Sequence, residues 1–427
     1  MSHSDNNSPW FTYPEYHWKN KHAVIIGAGI AGCQMAWHLC EEDWQVTLVE
    51  RQPQIASEAS GNPVGVISPK MTAKPSLGEE FYTQAFHYTL SLLETLSKKG
   101  YNLDWNPCGV QQLTHNEREI NRWKALVKRN LPSDFIQLLD EKQTQKVAGI
   151  KLHSTRAYKS SFFPNAGWIN PASFCKALSQ HPNCTTLCET EGLELISKDN
   201  IWQLLDQNKK IITHSEVVVI TSGKDINHFT QSQNLPCMPV AGQTTLAESS
   251  AVSSKLKTVI GHKGFVTPAI NLENNTTQHL FGATFDRDNR RLSCSDNANN
   301  SNLQTLNKYL PDFNQSLGTI KSAHCAVRMT SPDRLPYVGA LADYNIYKQN
   351  YHDLQLGKHW ENYPNATYQN GLFVLAGLGS RGLTTSGLCA KSLSQLLENK
   401  LNLAQQKLLT QCHPARFIIK NLKRGIK

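Results

Sequence analysis

The first residues able to do chemistry are Gly27, Gly29 and Gly32, spaced G-x-G-x-x-G within the run His22-Ala-Val-Ile-Ile-Gly-Ala-Gly-Ile-Ala-Gly32. The apolar stretch Ala23–Ile26 before them reads as a strand buried on both faces, and a helix is predicted to open near Ile30. In that setting Gly27 permits the tight turn, Gly29 lets backbone approach a pyrophosphate, and Gly32 lets the helix pack on the strand. The phosphates of a dinucleotide would then sit on the positive end of the helix. Trp44-Gln-Val-Thr-Leu-Val-Glu50 follows as a second strand, and Glu50 lies eighteen residues after Gly32, where an acid can accept hydrogen bonds from a ribose. Alone, such glycine spacing is common in ordinary turns. The strand before it, the helix after it and the acid beyond make it a dinucleotide signal.

Two further turns carry similar chemistry. Ser60, Gly61 and Asn62, with Gly65 behind them, form a small-residue turn after the acidic strand end. Gly377-Leu-Gly-Ser-Arg-Gly382 follows the apolar strand Leu372–Ala376 and opens a helix running to about Leu397. That puts a second helix N-terminus beside Arg381, and both would stabilise negative charge. The plainer reading of this loop is a strand-to-helix turn that needs glycine.

The chain around these turns has 427 residues, enough for two domains with their own cores. No apolar run approaches a membrane span. Met1–Asn20 lacks the basic-then-apolar order of a signal peptide, so a cytoplasmic protein without membrane contact is expected. The eleven cysteines are scattered, read as free thiols, and imply no metal site. The net charge of +9 permits an anionic partner without establishing one. Basic residues gather at Arg118, Arg122, Lys124, Lys128 and Arg129, at Arg287, Arg290 and Arg291, and at Lys420, Lys423, Arg424 and Lys427. These are solvated faces or phosphate-binding ones.

Glu79–Lys98 carries helical periodicity, Tyr101–Gln112 reads as strands, and Glu117–Lys146 reads as a helix broken at Pro132. In Gly167-Trp-Ile-Asn-Pro171, Asn170 is the expected N-cap and Pro171 the first helical residue. Strands are expected around Thr185–Ile196, Ile201–Leu205 and Val217–Thr221, with β-rich sequence from Pro239 to Phe285. The Asn/Ser-rich stretches Asn271–Gln278 and Ser293–Asn302 read as surface loops. Parallel-type strands at both ends and in the middle predict one discontinuous domain with a second inserted into it twice.

Several segments together resemble the D-amino-acid oxidase and glycine oxidase superfamily, and within it the flavoprotein half of the bacterial tRNA-modifying MnmC family. The resemblance runs from Pro9 onward. It rests on Ala59-Ser-Gly-Asn62 with Gly65, on Gly167–Pro171, on Gly264-Phe-Val-Thr-Pro268 and on Val327-Arg-Met-Thr-Ser-Pro-Asp-Arg-Leu-Pro-Tyr-Val-Gly339. Gly377–Thr385, the insertion Tyr347–Gly357 with Tyr351-His-Asp-Leu354, and His413-Pro-Ala-Arg-Phe417 complete it. The fold implied is α/β: a discontinuous Rossmann-like FAD-binding domain with an inserted mixed-sheet substrate domain, of the glutathione-reductase and D-amino-acid-oxidase kind. The expected boundaries are 21–95, 161–232 and 326–405 for the FAD-binding domain and 96–160 and 233–325 for the substrate domain. A leader resembling an interdomain linker (1–20) and a basic tail (406–427) flank them.

What the resemblance implies for the site is non-covalent FAD. Its expected contacts are Gly27, Ala28, Gly29, Ile30, Ala31, Gly32, Glu50, Arg51, Ser60, Gly61, Asn62, Gly65, Gly377, Gly379, Arg381, Gly382, Leu383 and Thr384. Cys325 is offset by one residue from where some relatives attach flavin. Arg328 matches the arginine that grips a glycine-like carboxylate, a task suited to the guanidinium fork; a salt bridge is its plainer role. With Arg381 it forms the expected catalytic pair. Arg334 is expected to be structural or RNA-facing. His279, His324 and Lys70 are candidates to assist protonation or oxygen activation, and equally ordinary satisfied polar residues.

The activity implied is removal of the carboxymethyl arm from carboxymethylaminomethyl-uridine at the wobble position. The tRNA anticodon arm is the expected partner, and molecular oxygen is a candidate electron acceptor. Bifunctional members carry a methyltransferase domain ahead of the flavin domain. Only about twenty residues precede the first strand here, so the expectation is either a separate methyltransferase acting downstream or the free aminomethyl group as the end point. Two other readings stay open: an oxidase of a free amino acid such as glycine or sarcosine, and a catalytically silent FAD-containing tRNA-binding module.

Overall fold

In a computed structural model of the chain, which describes residues 8–271, 276–287, 293–357 and 362–426, the apolar run Val217–Ile220 is a strand buried along its whole length. It lies parallel to His22–Ile26 on one side and to Tyr368–Ala376 on the other. Gln45–Val49 and Cys184–Leu187 extend the sheet in parallel, and Tyr337–Ala342 closes its far edge antiparallel to Tyr368–Ala376. Strands without a polar face need cover on both sides. The helices Ile30–Cys40 and Gly382–Leu397 pack together and supply part of it. This is the Rossmann-like arrangement, and a short antiparallel sheet of Glu194–Lys198, Ile201–Leu205 and Ile211–Ser215 accompanies it.

The sheet belongs to one of two compact units, Met1–Ser57 with Cys175–Pro239 and Arg328–Lys427. The other unit is Glu58–Phe174 with Val240–Val327. Its mixed sheet runs Ile320–Thr330, Met238–Glu248, Thr277–Gly282, Phe265–Val266, Val259–Gly261, Val110–Leu113, Ser160–Phe163, Gln137–Leu139, with Ile270–Asn271 paired to Thr277–Gly282. Leu113, Ile260, Val266, Phe281, Leu306 and Phe313 form its core. The division differs from the expected boundaries: residues 58–95 and 161–174 fall in the second unit. Strand Gly65–Ile67 pairs there with Gly167–Ile169. The helix Leu77–Lys98 is held there by Glu79, whose carboxylate meets the guanidinium of Arg129.

Local signals were followed where they were strong. Asn170 accepts from the Ser173 amide at 2.9 Å, and Pro171 opens the helix Pro171–Ser179. Elsewhere long-range partners overruled the local pattern. The segment expected as one broken helix forms a helix Glu117–Val127, a strand Gln137–Leu139 and a helix Glu141–Ala148. The strand exists because it pairs with Ser160–Phe163. The Asn-rich stretch expected as a loop at 293–302 opens the helix Asp296–Tyr309, capped by Ser295. Its Asn299 and Asn302 are buried, with Gln243 and Thr245 as their hydrogen-bond partners. The loop expected at 271–278 contributes Asn271 and Thr277 to strands, while 272–275 lies outside the described residues.

The described parts of the expected leader and tail are both packed. Trp10 and Phe11 share a core with Tyr347, Tyr351, Ile419 and Leu422. The tail is folded as helices Leu403–Gln411 and Arg416–Leu422. The insertion Tyr347–Gly357 buries Tyr347 and Tyr351 in that core, and the Tyr347 hydroxyl donates to the Trp10 carbonyl at 2.8 Å. Those two tyrosines therefore serve the fold.

Candidate active site

At the end of His22–Ile26 the chain turns at Gly27, whose φ of +101° favours glycine. The Gly27 amide donates to the Val49 carbonyl at 2.8 Å, fastening the turn to the neighbouring strand. Gly32 admits no side chain, because a Cβ there would lie 1.9 Å from the Gly27 carbonyl oxygen. Helix Ile30–Cys40 therefore starts directly against the strand end, with Gly29 as an N-cap that has no side chain to satisfy the first amides. Thr221 braces the turn from the next strand, its hydroxyl within 2.8 Å of the Ile26 and Gly27 carbonyls. The sequence reading missed Thr221; its position at the end of a buried strand was the only signal.

Glu50 stands just beyond Gln45–Val49. Its Oε2 accepts from the Ala28 amide and its Oε1 from the Gln52 amide, both at 2.9 Å. Each carboxylate oxygen has a second lone pair, so Glu50 can orient the turn and still accept from a ribose hydroxyl. Arg51, expected among the cofactor contacts, is engaged by the carboxylates of Asp225 at 2.8 Å and Glu191 at 3.7 Å.

The second turn belongs to the same unit. Tyr368–Ala376 ends at Gly377, a short 3-10 turn spans Gly379–Arg381, and helix Gly382–Leu397 begins with Arg381 as its N-cap. That start also lacks a side-chain cap. Leu383 is half-buried and Thr384 buried. A backbone bridge joins Leu378 to Thr330, two residues beyond Arg328 on strand Ile320–Thr330. It brings together the backbones that carry Arg328 and Arg381, both half-buried. Residues i and i+2 of a strand share a face, and Thr330 faces the turn, its hydroxyl 3.3 Å from where a Cβ on Gly379 would stand.

The loop after Arg328 is fixed by a pair that the sequence reading also missed. Asp333 accepts from Arg416 Nε at 2.8 Å and Nη2 at 2.9 Å, from the Ser331 hydroxyl and from the Leu335 amide. Burial alone would raise the Asp333 pKa, but the Arg416 guanidinium more than offsets it, so the carboxyl sits below its usual range. Arg416 is 3 % exposed and lies over the Tyr337 ring. The two partners are 83 positions apart, beyond any local pattern. Arg334 is exposed.

In the second unit, Ser60, Gly61, Asn62 and Gly65 are half-buried. The Asn62 amide is engaged at both ends: its nitrogen donates to the Val64 carbonyl, and its oxygen accepts from the Thr244 hydroxyl at 2.7 Å. His279 is enclosed, with one ring nitrogen 2.9 Å from the Thr267 carbonyl and the other 3.0 Å from the Ser253 hydroxyl. Burial lowers its pKa and keeps it neutral, as it does for His324, which reaches the Glu58 carbonyl. Lys70 lies over the Tyr82 ring. Cys325 is half-buried and in no disulfide.

The basic clusters divide. Arg118, Lys124 and Lys128 are exposed, whereas Arg122 is paired with Glu119 at 2.6 Å and Arg129 with Glu79. Lys420, Lys423 and Arg424 are exposed, with Lys423 over the Trp10 ring. Arg287 is exposed; Arg290, Arg291 and Lys427 lie outside the described residues. Among the described residues no helix is long and apolar enough to cross a membrane.

Comparison with known proteins gives this geometry a family. The model for "FAD dependent oxidoreductase" matches residues 22–396. The tRNA 5-methylaminomethyl-2-thiouridine biosynthesis bifunctional protein MnmC of Pseudomonas savastanoi pv. phaseolicola is 34% identical over 433 residues, covering 100% of this chain and 63% of its own length. The protein of the same name from Chromobacterium violaceum is 32% identical over 98% of this chain and 62% of its own. The chain thus spans under two thirds of these relatives. Among solved structures, glycine oxidase from Geobacillus kaustophilus superposes with a TM-score of 0.73, at 18% identity over 92% of this chain and 98% of its own. L-Proline dehydrogenase from P. horikoshii superposes at 0.71, with 15% identity over 94% and 99%. These two share the fold. FAD is a dinucleotide, and the uncapped turn at Gly27–Gly32, with Glu50 beside it, suits a pyrophosphate and a ribose.

Proposed function

The chain belongs to the FAD-dependent oxidoreductase family, and we propose that it removes the carboxymethyl arm from 5-carboxymethylaminomethyl-uridine, with or without 2-thiolation, at the tRNA wobble position. The observation that carries this reading is the likeness, along the whole of this chain and 63% of the relative, to a protein named for tRNA 5-methylaminomethyl-2-thiouridine biosynthesis. Loss of two electrons and two protons from the N–CH2 bond leaves an imine. Water then splits it into aminomethyl-uridine and glyoxylate. FAD, when bound, would supply the acceptor for those electrons.

The chain's own part is binding and orientation. Gly27, Ala28, Gly29, Ile30, Ala31 and Gly32 receive the cofactor's pyrophosphate, and Glu50 its ribose. By the family resemblance Ser60, Gly61, Asn62 and Gly65 are further cofactor contacts, without covalent attachment through Cys325. Arg328 takes the arm's carboxylate in its fork, which fixes the reacting carbon. Arg381 and the start of helix Gly382–Leu397 meet negative charge on the cofactor. A wobble uridine lies in a single-stranded loop and can be splayed into a pocket at small unstacking cost. Exposed cations such as Lys124, Lys128, Lys423 and Arg424 engage its phosphates. The freed amine is what a methyltransferase would need, in keeping with the relatives' bifunctional description.

The test is purified protein with tRNA bearing the carboxymethylaminomethyl group, followed by nucleoside mass analysis. Loss of the arm with release of glyoxylate is expected. Turnover of free glycine with the tRNA untouched would overturn the substrate; flavin binding with neither reaction would leave a silent module.

A further inference from the structure

A pocket of about 240 Å³ opens in the second unit, bounded by the turn His262–Phe265, by Phe281–Phe285 and by Ser301, Asn302, Thr305 and Leu306 on helix Asp296–Tyr309. Its chemistry is mixed in a specific way. Phe281 is fully buried, while Phe285 stands 63 % exposed and presents ring surface to solvent. Ser301, Thr305 and Thr284 bring hydroxyls, and Lys263 and Arg287 are exposed cations on the turn and just beyond Phe285. Asp286 stands between Phe285 and Arg287, its backbone tied to Ala241.

His262 shows what that wall offers. Its Nδ1 accepts from the Gly264 amide at 3.1 Å. Burial, assisted by nearby His115, pushes its pKa down to about 3, so the ring is neutral and the proton resides on Nε2. Nε2 is buried with no hydrogen-bond partner, a donor without an acceptor beside the pocket.

A carboxylate substrate alone would need a paired cation and no aromatic platform, whereas a planar ring with carbonyl edges uses the rings, the hydroxyls and the donor together. We propose that this pocket holds a splayed nucleobase of single-stranded RNA, stacked on Phe285, with its phosphate toward Lys263 and Arg287. The inference rests on the tRNA reading above and adds a base-binding subsite to it. At about 240 Å³ the space falls below that of sites for drug-sized ligands, in keeping with a single base.

The test uses the FAD-bound protein and a fluorescein-labelled, unmodified anticodon stem-loop RNA, with affinity measured across a salt series. Phe285→Ala removes the platform, and Ser301→Trp fills the pocket from the helix side. Each should weaken binding about 5- to 100-fold while leaving the log–log salt slope unchanged, because no phosphate contact is lost. A stem-loop with one abasic loop position should bind wild type more weakly and the two variants no more weakly than the intact RNA does. Wild-type affinity in both folded variants, checked by circular dichroism, would overturn the pocket and leave the tRNA reading standing. No measurable binding of the stem-loop or of whole tRNA by wild type would remove both.

Discussion

Two long helices of the first unit, each following a glycine turn, begin without a side-chain cap, whereas four helices of the second unit begin with one. Ile30–Cys40 starts at Gly29 and Gly382–Leu397 at Arg381, neither with a capping hydrogen bond. In the second unit Ser76, Asn116, Asp140 and Ser295 each accept from a first-turn amide of their own helix. A capped start stabilises the fold by satisfying a backbone donor internally. An uncapped start forgoes that and leaves its donors for an anion. The contrast belongs to the turns and not to the units: a start that follows a glycine turn keeps donors that a ligand could use, whereas capped starts, Tyr344–Asn350 and Leu403–Gln411 of the first unit among them, serve stability.

The strongest way to break this comparison is to cap the uncapped end. Gly29 has φ of −75°, open to any residue. Gly29→Asp should therefore fold, with the apoprotein more stable by about 0.5–1 kcal/mol. The new carboxylate would oppose the pyrophosphate, so the purified protein should be nearly colourless; a full complement of flavin by absorbance would sink the assignment. Wild type, by contrast, should be yellow and release intact FAD into the supernatant on acid precipitation.

Next in size is Arg328→Ala, which keeps FAD but leaves the substrate carboxylate without its partner. A loss of about 2–5 kcal/mol corresponds to a fall in kcat/KM on the order of 30- to several thousand-fold. Arg328→Lys should recover only part, since an ammonium keeps the charge without the fork. Near wild-type cleavage by the alanine variant would shift the anchor to another cation, with Arg381 first to try.

Arg129→Ala tests the second unit alone. It strands the Glu79 carboxylate, which is 8 % exposed, and should cost about 3 kcal/mol of stability. Burial alone would raise the Glu79 pKa, but Arg129 and Thr72 bring it below its usual value. Its contribution is thus present above the unfolded carboxylate range and lost as pH falls through the depressed folded value. The wild-type melting temperature should drop more steeply on acidification than that of Arg129→Ala; parallel curves would show that the pair adds nothing. Smallest is Ser295→Ala, at about 1 kcal/mol of stability in a denaturant titration and with no change in flavin content. Any loss of flavin there would blur the division between the two kinds of helix start.

Some of this was legible locally. The Gly27–Gly32 turn, the buried strand at Val217 and the Asn170–Pro171 helix start depend on residues within a few positions of one another, because φ freedom, strand burial and capping are short-range demands. So the sequence by itself determined the glycine turn at Gly27–Gly32, the acid Glu50 beside it and the second glycine turn before the helix at Gly382. Tertiary structure decided the rest. Residues 293–302 have loop composition, yet they begin a helix because Gln243 and Thr245 satisfy Asn299 and Asn302 from more than fifty positions away. Arg129 looked like a phosphate ligand until the fold brought Glu79 to it, and Arg416 looked like part of a basic tail until it met Asp333. A charge in sequence is only a capacity to pair. Which partner fills it depends on chain closure over long separations, and no local pattern encodes that.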